Sequence, residues 1–316
     1  MARSTTQPKL YWQSKLVLLL VFPCLGADVV LKIRWWAVNL PAVALWTLGL
    51  SVLLGLVAWK LRSATPWAAA CGALVAASIT FATTFLRDED YGRVFPYRTA
   101  LVPLLLLLVL TSLATRLGRS RKERLGTAET RHGRSPSQVA ANLGIAALVS
   151  NQAVLFWLEG LGLIQLSFLH VHGMRGAFWS ATLPFVLGLA ALAESAADTV
   201  SSEIGQVLGG RPRMLTTMRR VEPGTDGAIS LAGTLAGISA GAAVSLAGAW
   251  ALSGGWEMFL IACAGGVFGL FFDSLLGATL ERRGWLNNDG VNFLSTACAA
   301  AFALGLLALV SHHGMG

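Results

Sequence analysis

The sequence predicts an all-α fold, a polytopic bundle of transmembrane helices, and three observations predict it. Of the 316 residues, 55% are hydrophobic and 13% charged, about half the charged share of a soluble chain. Mean hydropathy is +0.64, and a water-soluble fold of this length would lack the polar surface to cover such a chain. The apolar residues also come in runs of about 20, the length that crosses a bilayer core as a helix. Nine runs qualify: 14–31, 36–59, 66–86, 98–116, 138–158, 176–198, 228–252, 256–279 and 290–311.

The first run is the weakest, being short and carrying Asp28. It follows the basic stretch MARSTTQPKLYWQSK and, without a convincing small-residue cleavage site, reads as a retained helix. Pro41 in the second run and Pro103 in the fourth are tolerable in membrane helices. Segment 160–175 is too short and polar to cross, so His170 and His172 read as interfacial residues. Gly233, Gly237 and Gly241, with Gly265 and Gly269, predict close helix contacts. Cys24, Cys71, Cys263 and Cys298 lie in apolar stretches without CxxC spacing, and read as buried small side chains.

The net charge of +8 is a topology signal before it is a binding signal. With the amino terminus inside, 18 of the 24 Lys and Arg fall on the inner face, which orients the chain with the amino terminus cytoplasmic and the carboxyl terminus out. No nucleic-acid partner is expected. The Ala, Gly, Leu and Arg bias suggests a GC-rich bacterium, hence a bacterial inner (cytoplasmic) membrane. Inner loop 117–137 is dense in charge and reads as a solvated linker held by anionic headgroups. Inner loop 199–227 mixes carboxylates, Arg, Thr, Gly and Pro, and reads as a folded site.

Candidate chemistry gathers in three clusters on that face. Glu194 and Asp198 are four apart, so they share a helix face at the inner end of an apolar span, followed by Ser202 and Glu203. Ionisable groups at membrane depth are costly and therefore functional candidates. The second cluster holds Arg211, Arg213, Arg219, Arg220, Thr216 and Thr217, and then the turn Pro223-Gly-Thr-Asp-Gly227, which is expected to lead directly into a helix. Gly224, Thr225 and Gly227 would there turn backbone N–H groups toward an anion. The third cluster has Asp273 near the end of its span, then Asn287, Asn288, Asp289 and Asn292. Hard oxygen ligands beside basic loops suit a magnesium-bound phosphate substrate.

ADTVSSEIG (197–205), RMLTTMRRVEPGTDGAISLAGTLAG (213–237), FDSLLGATLERRG (272–284) and NNDGVNFLST (287–296) resemble the integral membrane family catalogued as domain of unknown function 92. So do SLATRLGRSRKERLG (112–126) and SPSQVAANLGIAAL (135–148). That family includes transmembrane protein 19 and phytyl-phosphate kinases of plants and cyanobacteria. A more distant similarity is to CTP-dependent phytol and dolichol kinases. The resemblance implies two amino-terminal helices (1–60) and a membrane-embedded kinase-like core (61–316) with cytoplasmic loops 117–137, 199–227 and 280–290.

The activity implied is transfer of a phosphoryl group from a nucleoside triphosphate, with CTP as the suggested donor, to a prenyl monophosphate lipid. Magnesium would be held by Asp198, Glu203 and Asp273. Arg219, Arg220 and Asp289 would act in catalysis, while Ser202, Thr216, Thr217, Gly224, Thr225, Gly227, Asn288 and Asn292 would bind substrate or nucleotide. Where the family has Gly-Lys after the Thr pair, this chain has Met218-Arg219-Arg220. Arg keeps the charge as a planar fork instead of a compact ammonium. The alternatives are a polyprenol kinase, a cytidylyltransferase, or a transporter of anionic lipid.

Overall fold

A computed structural model describes residues 10–84, 95–128, 133–164 and 174–313; the segment around His170 and His172 lies outside them. The chain forms α1 (Tyr11–Asn39), α2 (Pro41–Lys60), α3 (Pro66–Thr84), α4 (Leu101–Arg116), α5 (Arg119–Leu125), α6 (Pro136–Val149) and α7 (Gln152–Gly160). There follow α8 (Met174–Leu208), the paired strands β1 (Arg213–Met214) and β2 (Ala228–Ile229), α9 (Leu231–Ala251), α10 (Gly255–Leu276) and α11 (Asn288–His313). A π-helical turn, Gly277–Glu281, ends α10. Among the described residues, seven helices are long and apolar enough to cross a membrane alone, and counting two bent pairs as spans, α4 with α5 and α6 with α7, gives up to nine. The bends are 62° and 83°. At 1.5 Å per residue α6 is only about 21 Å long, short of a hydrocarbon core of about 30 Å.

Three boundaries differ from the sequence reading, each for a local reason. The first span does not stop at residue 31, because Lys32 is neutralised within the helix by Asp28, four residues earlier, at 2.8 Å. Pro41 does not interrupt a span; it opens α2, where its missing N–H costs nothing. The sixth span runs ten residues beyond 198, to Leu208, because nothing breaks the helix until Gly209 and Gly210, the latter at φ +60°. Ser202 and Glu203 are therefore helical rather than part of a loop. The cysteine expectation also fails in part, since Cys24 is exposed on α1 and the other three are half-buried.

α8 is the central helix. It packs against α4, α6, α9, α10 and α11, while α1 lies on α3, α6 and α11 and α2 covers α3. The predicted glycine faces make these contacts. Gly233 and Gly237 lie against the Ser201 and Ala197 carbonyls of α8, and Gly265 sits between Ala190 and Ala299. Eight exposed Trp mark the two ends of the bundle: Trp12, Trp59, Trp67 and Trp285 at one, Trp35, Trp157, Trp250 and Trp256 at the other. Such paired belts are where indole rings settle at membrane–water interfaces.

At the first of these ends the connections are tied to one another. Arg116 donates to the Leu61 carbonyl, Gln13 to that of Trp285, and Asn287 to that of Leu10. Toward the other end, Asp28 accepts from Lys32, from Ser78 at 2.6 Å and from Asn151 at 2.5 Å, so it joins α1, α3 and the α6–α7 elbow. Asp28→Ala leaves Asn151 without its acceptor and Lys32 with only the Ser78 carbonyl, at 3.4 Å. The expected cost is about 1–3 kcal/mol, read as a fall in Tm of the detergent-solubilised protein, and Asp28→Asn should recover part of it.

Candidate active site at one end of the bundle

The site is built on α8, α10 and α11. Gly269 of α10 lets the Glu194 side chain pass, for a Cβ there would lie 2.5 Å from Glu194 Cγ and 2.8 Å from the Ala299 Cβ. Glu194 is 1% exposed and Ser195 0% exposed on α8. One turn on, Asp198 and Asp273 are within electrostatic range of one another, and Ser295 of α11 lies beside both Glu194 and Asp273. Glu194 Oε1, Ser195 Oγ and Asp273 Oδ2 are buried without a hydrogen-bond partner. Buried polar atoms are ordinarily satisfied, so these oxygens are available to a ligand.

The second cluster reaches this one through its last residue. Residues 213–229 fold back on themselves, with Arg213 paired to Ile229 and Met214 to Ala228. Gly227, at φ +72°, lies against the π-helical turn, since a Cβ on Gly277 would come within 2.8 Å of the Gly227 nitrogen. π-turns inside helices are frequent at functional sites. This one brings Glu281 into electrostatic range of Asp226 and Asp198. The turn does not lead directly into a helix, as the sequence suggested: β2 intervenes, and α9 is capped by the Ser230 hydroxyl accepting from Gly233 N–H. A side chain at 227 would meet both the positive φ and the Ala278 backbone. Gly227→Ala is expected to cost about 1–3 kcal/mol through strain and to lower activity more than Gly224→Ala, a comparison of kcat and Tm in one preparation.

The other sequence candidates are dispersed. Thr216, Thr217, Arg219 and Arg220 are exposed on the fold-back loop, while half-buried Thr225 donates to the Glu222 carbonyl. Gly224 approaches Thr127, and Ser202 is exposed and donates to the Thr199 carbonyl. Asn288 is exposed at the start of α11. Asn292 donates to Asn142 of α6 at 3.4 Å. Asp289 accepts from Ser14 of α1 at 2.6 Å, so it fastens α11 to the first helix.

Two cations that were not singled out lie beside the cluster. Lys122, expected in a solvated linker, is 1% exposed and sits on α5. It donates to the Ala114 and Thr115 carbonyls and to Glu203 at 2.5 Å. Burial is affordable there because all three ammonium donors are used. Arg134 donates to Thr199 Oγ1 at 3.2 Å, in electrostatic range of Asp198. In sequence both are members of a run of like charges; only the fold separates them from their neighbours.

Among the described residues no three Asp, Glu, His or Cys side chains are arranged to enclose a metal ion. Magnesium, however, is usually held by one or two carboxylates together with substrate phosphates, and keeps several waters. Asp198 and Asp273, with the orphaned Asp273 Oδ2, fit that partial donor set. Glu203 fits it less well, being engaged by Lys122.

Fold and site together define the class: a multi-pass integral membrane protein with buried carboxylates on neighbouring helices. Comparison with known proteins agrees. The chain belongs to the DUF92 family of integral membrane proteins, whose description matches residues 49–300. An uncharacterized membrane protein of Methanocaldococcus jannaschii is 44% identical over 108 residues, 34% of this chain and 45% of that protein. An uncharacterized membrane protein of Synechocystis sp. is 33% identical over 204 residues, 62% of this chain and 69% of that protein. Protein VTE6, chloroplastic, of Arabidopsis thaliana is 28% identical over 200 residues, 62% of this chain and 55% of that protein. The alignments with the first and third thus span about half the length of those relatives. No solved structure matches the chain.

Proposed function

We propose that this protein is a membrane-embedded prenyl-phosphate kinase. An oxygen of an isoprenoid monophosphate attacks the γ-phosphorus of a nucleoside triphosphate, the bond from that phosphorus to the β–γ bridging oxygen breaks, and a nucleoside diphosphate leaves. The product is the lipid diphosphate. The observation that carries the reading is the set of buried carboxylates on α8 and α10 with orphaned oxygens, Glu194 and Asp273, where α8, α10 and α11 pack together. The motif resemblance to phytyl-phosphate kinases supports the lipid monophosphate as acceptor and, through the phytol and dolichol kinases, CTP as donor.

Magnesium, when bound, would neutralise phosphate charge. Asp198 and Asp273 would hold it. The acceptor phosphate is largely ionised near neutral pH, so the chain has little need of a general base. Its task is to place two phosphates in line and offset their charge, as in other phosphoryl transfers. The Gly224–Gly227 turn, resting on the π-helical turn, would offer backbone N–H groups to one of them. Charge bias supports a site open to the cytoplasmic side, where a nucleotide is available. The test is a screen of purified protein against CTP, ATP, GTP and UTP with farnesyl, geranylgeranyl and phytyl phosphates, with and without magnesium. A lipid diphosphate formed with one donor supports the reading. Addition of a whole CMP unit would instead indicate a cytidylyltransferase, and no product from any pair would remove the kinase reading.

A further inference from the structure

We infer that Arg134 is a phosphate-binding residue of this site, taking the place that the exposed Arg219 and Arg220 were expected to fill. The inference rests on the kinase reading and extends it by naming the guanidinium that meets the substrate. Its backbone is fixed before its side chain is considered. Arg134 N–H donates to the Ser63 carbonyl at 3.1 Å and its carbonyl accepts from Thr65 N–H at 3.0 Å, making a parallel bridge with Ala64. Gly133 precedes it at φ +81°, with no room for a Cβ against Arg62, Ser63 and Ala64. Ser135 follows as the cap of α6, bonded reciprocally with Gln138. A short strap thus joins the α2–α3 connection to the start of α6 and leaves Arg134 little freedom.

From this strap the side chain reaches α8. Nη2 donates to Thr199 Oγ1, one residue beyond Asp198. Any residue could make the two backbone bonds, and a bond to one hydroxyl uses one of the five guanidinium donors. Three ion pairs link described residues, and Arg134 takes part in none of them. It stands near the Asp198 carboxylate without being clamped to it. A fixed, half-buried guanidinium with donors to spare, beside Asp198, whose neighbour Asp273 carries an orphaned oxygen, suits a ligand that is anionic on one side and cation-bridged on the other. A terminal phosphoryl group carrying a divalent cation has that chemistry, and Arg binds it in a bidentate fork. The phosphoryl group can belong to the lipid monophosphate or to the nucleotide.

The test uses the full chain in nanodiscs with Arg134→Ala, Arg134→Lys and Thr199→Val. KM is measured separately for farnesyl phosphate and for the nucleotide, alongside thermal protection by inorganic pyrophosphate and by farnesyl phosphate. The expected result is a rise of about tenfold or more in one KM for Arg134→Ala, the loss of one charge-assisted contact. Arg134→Lys should restore part of it, and Thr199→Val should give a smaller rise in the same KM. A rise confined to farnesyl phosphate assigns the residue to the lipid phosphate, and one confined to the nucleotide assigns it to the donor. Unchanged KM values with a fall only in kcat or Tm would overturn the inference and leave Arg134 a strap residue. Should Arg134→Ala fail to fold, Arg134→Lys decides, since it keeps the charge and loses the fork. Should the wild type transfer no phosphate, the kinase reading fails, and the protection arm still decides. Protection lost in the Arg134 variants supports phosphate binding, and protection unchanged, or absent from the wild type, contradicts it.

Discussion

Asp273→Asn is expected to lower phosphoryl transfer by about 10²–10³-fold, the size of effect seen when a preorganised charge-stabilising group is removed, and to leave the protein at least as stable as the wild type. The two halves of this prediction have one cause. Asp273 Oδ2 is buried without a partner, so replacing that oxygen by a near-isosteric amide nitrogen breaks no hydrogen bond at that atom. Asp273 also lies beside Asp198, Glu194 and Glu281, and a neutral amide there adds no charge to that crowded set of carboxylates. A residue kept for packing would behave in the opposite way, losing stability first and activity in proportion. Tm and initial rate, measured on the same preparation, distinguish the two. Asp198→Asn should follow the same pattern, with a smaller gain in Tm because Asp198 also feels Arg134. If either variant kept full activity, that carboxylate would be outside the site.

The second large effect concerns stability. Lys122→Met leaves Glu203, 8% exposed, facing the end of α4 with no cation, and breaking a buried pair by removing one partner costs about 3–5 kcal/mol. It also removes the donor to the Ala114 and Thr115 carbonyls, where α4 ends. The double variant Lys122→Met with Glu203→Leu should recover much of the lost Tm, because an apolar pair of similar volume avoids the desolvation that the ion pair requires. Its activity tells what else Glu203 does. If Asp198 and Asp273 are the carboxylates that serve the nucleotide, the double variant keeps a substantial rate; if Glu203 is a metal ligand as well, the rate falls with Tm restored. A single Lys122→Met variant as stable as the wild type would contradict the structural role given to this pair.

The parts of the fold that hydrophobicity controls could be read from the sequence, and those controlled by a single distant contact could not. Apolar runs located the spans, since each must bury its backbone within one helix. The glycine repeats located the close contacts of α9 and α10 with α8. Boundaries failed where a charge was silently paired, as Lys32 is with Asp28, or where a helix continued past the expected membrane edge, as α8 does. In the site, Asp198 and Asp273 were legible because a carboxylate in an apolar run has few innocent explanations. Arg219 and Arg220 are visible as neighbours in one motif, whereas Arg134 reaches Thr199 across 65 positions. Asp289 finds Ser14 across 275, a contact that no local pattern announces. Glu194 stood in view beside Asp198, and its orphaned oxygen was visible only with Gly269 opposite.

The central claim is that the carboxylates of α8 and α10 serve transfer of one phosphoryl group to a lipid phosphate. The direct measurement is the mass and radiolabel of the lipid product when purified protein in nanodiscs is given γ-labelled CTP, magnesium and geranylgeranyl phosphate, with Asp273→Asn run in parallel. The account predicts a labelled lipid diphosphate from the wild type and nearly none from a fully folded Asp273→Asn. A labelled diphosphate made equally well by both proteins would contradict it.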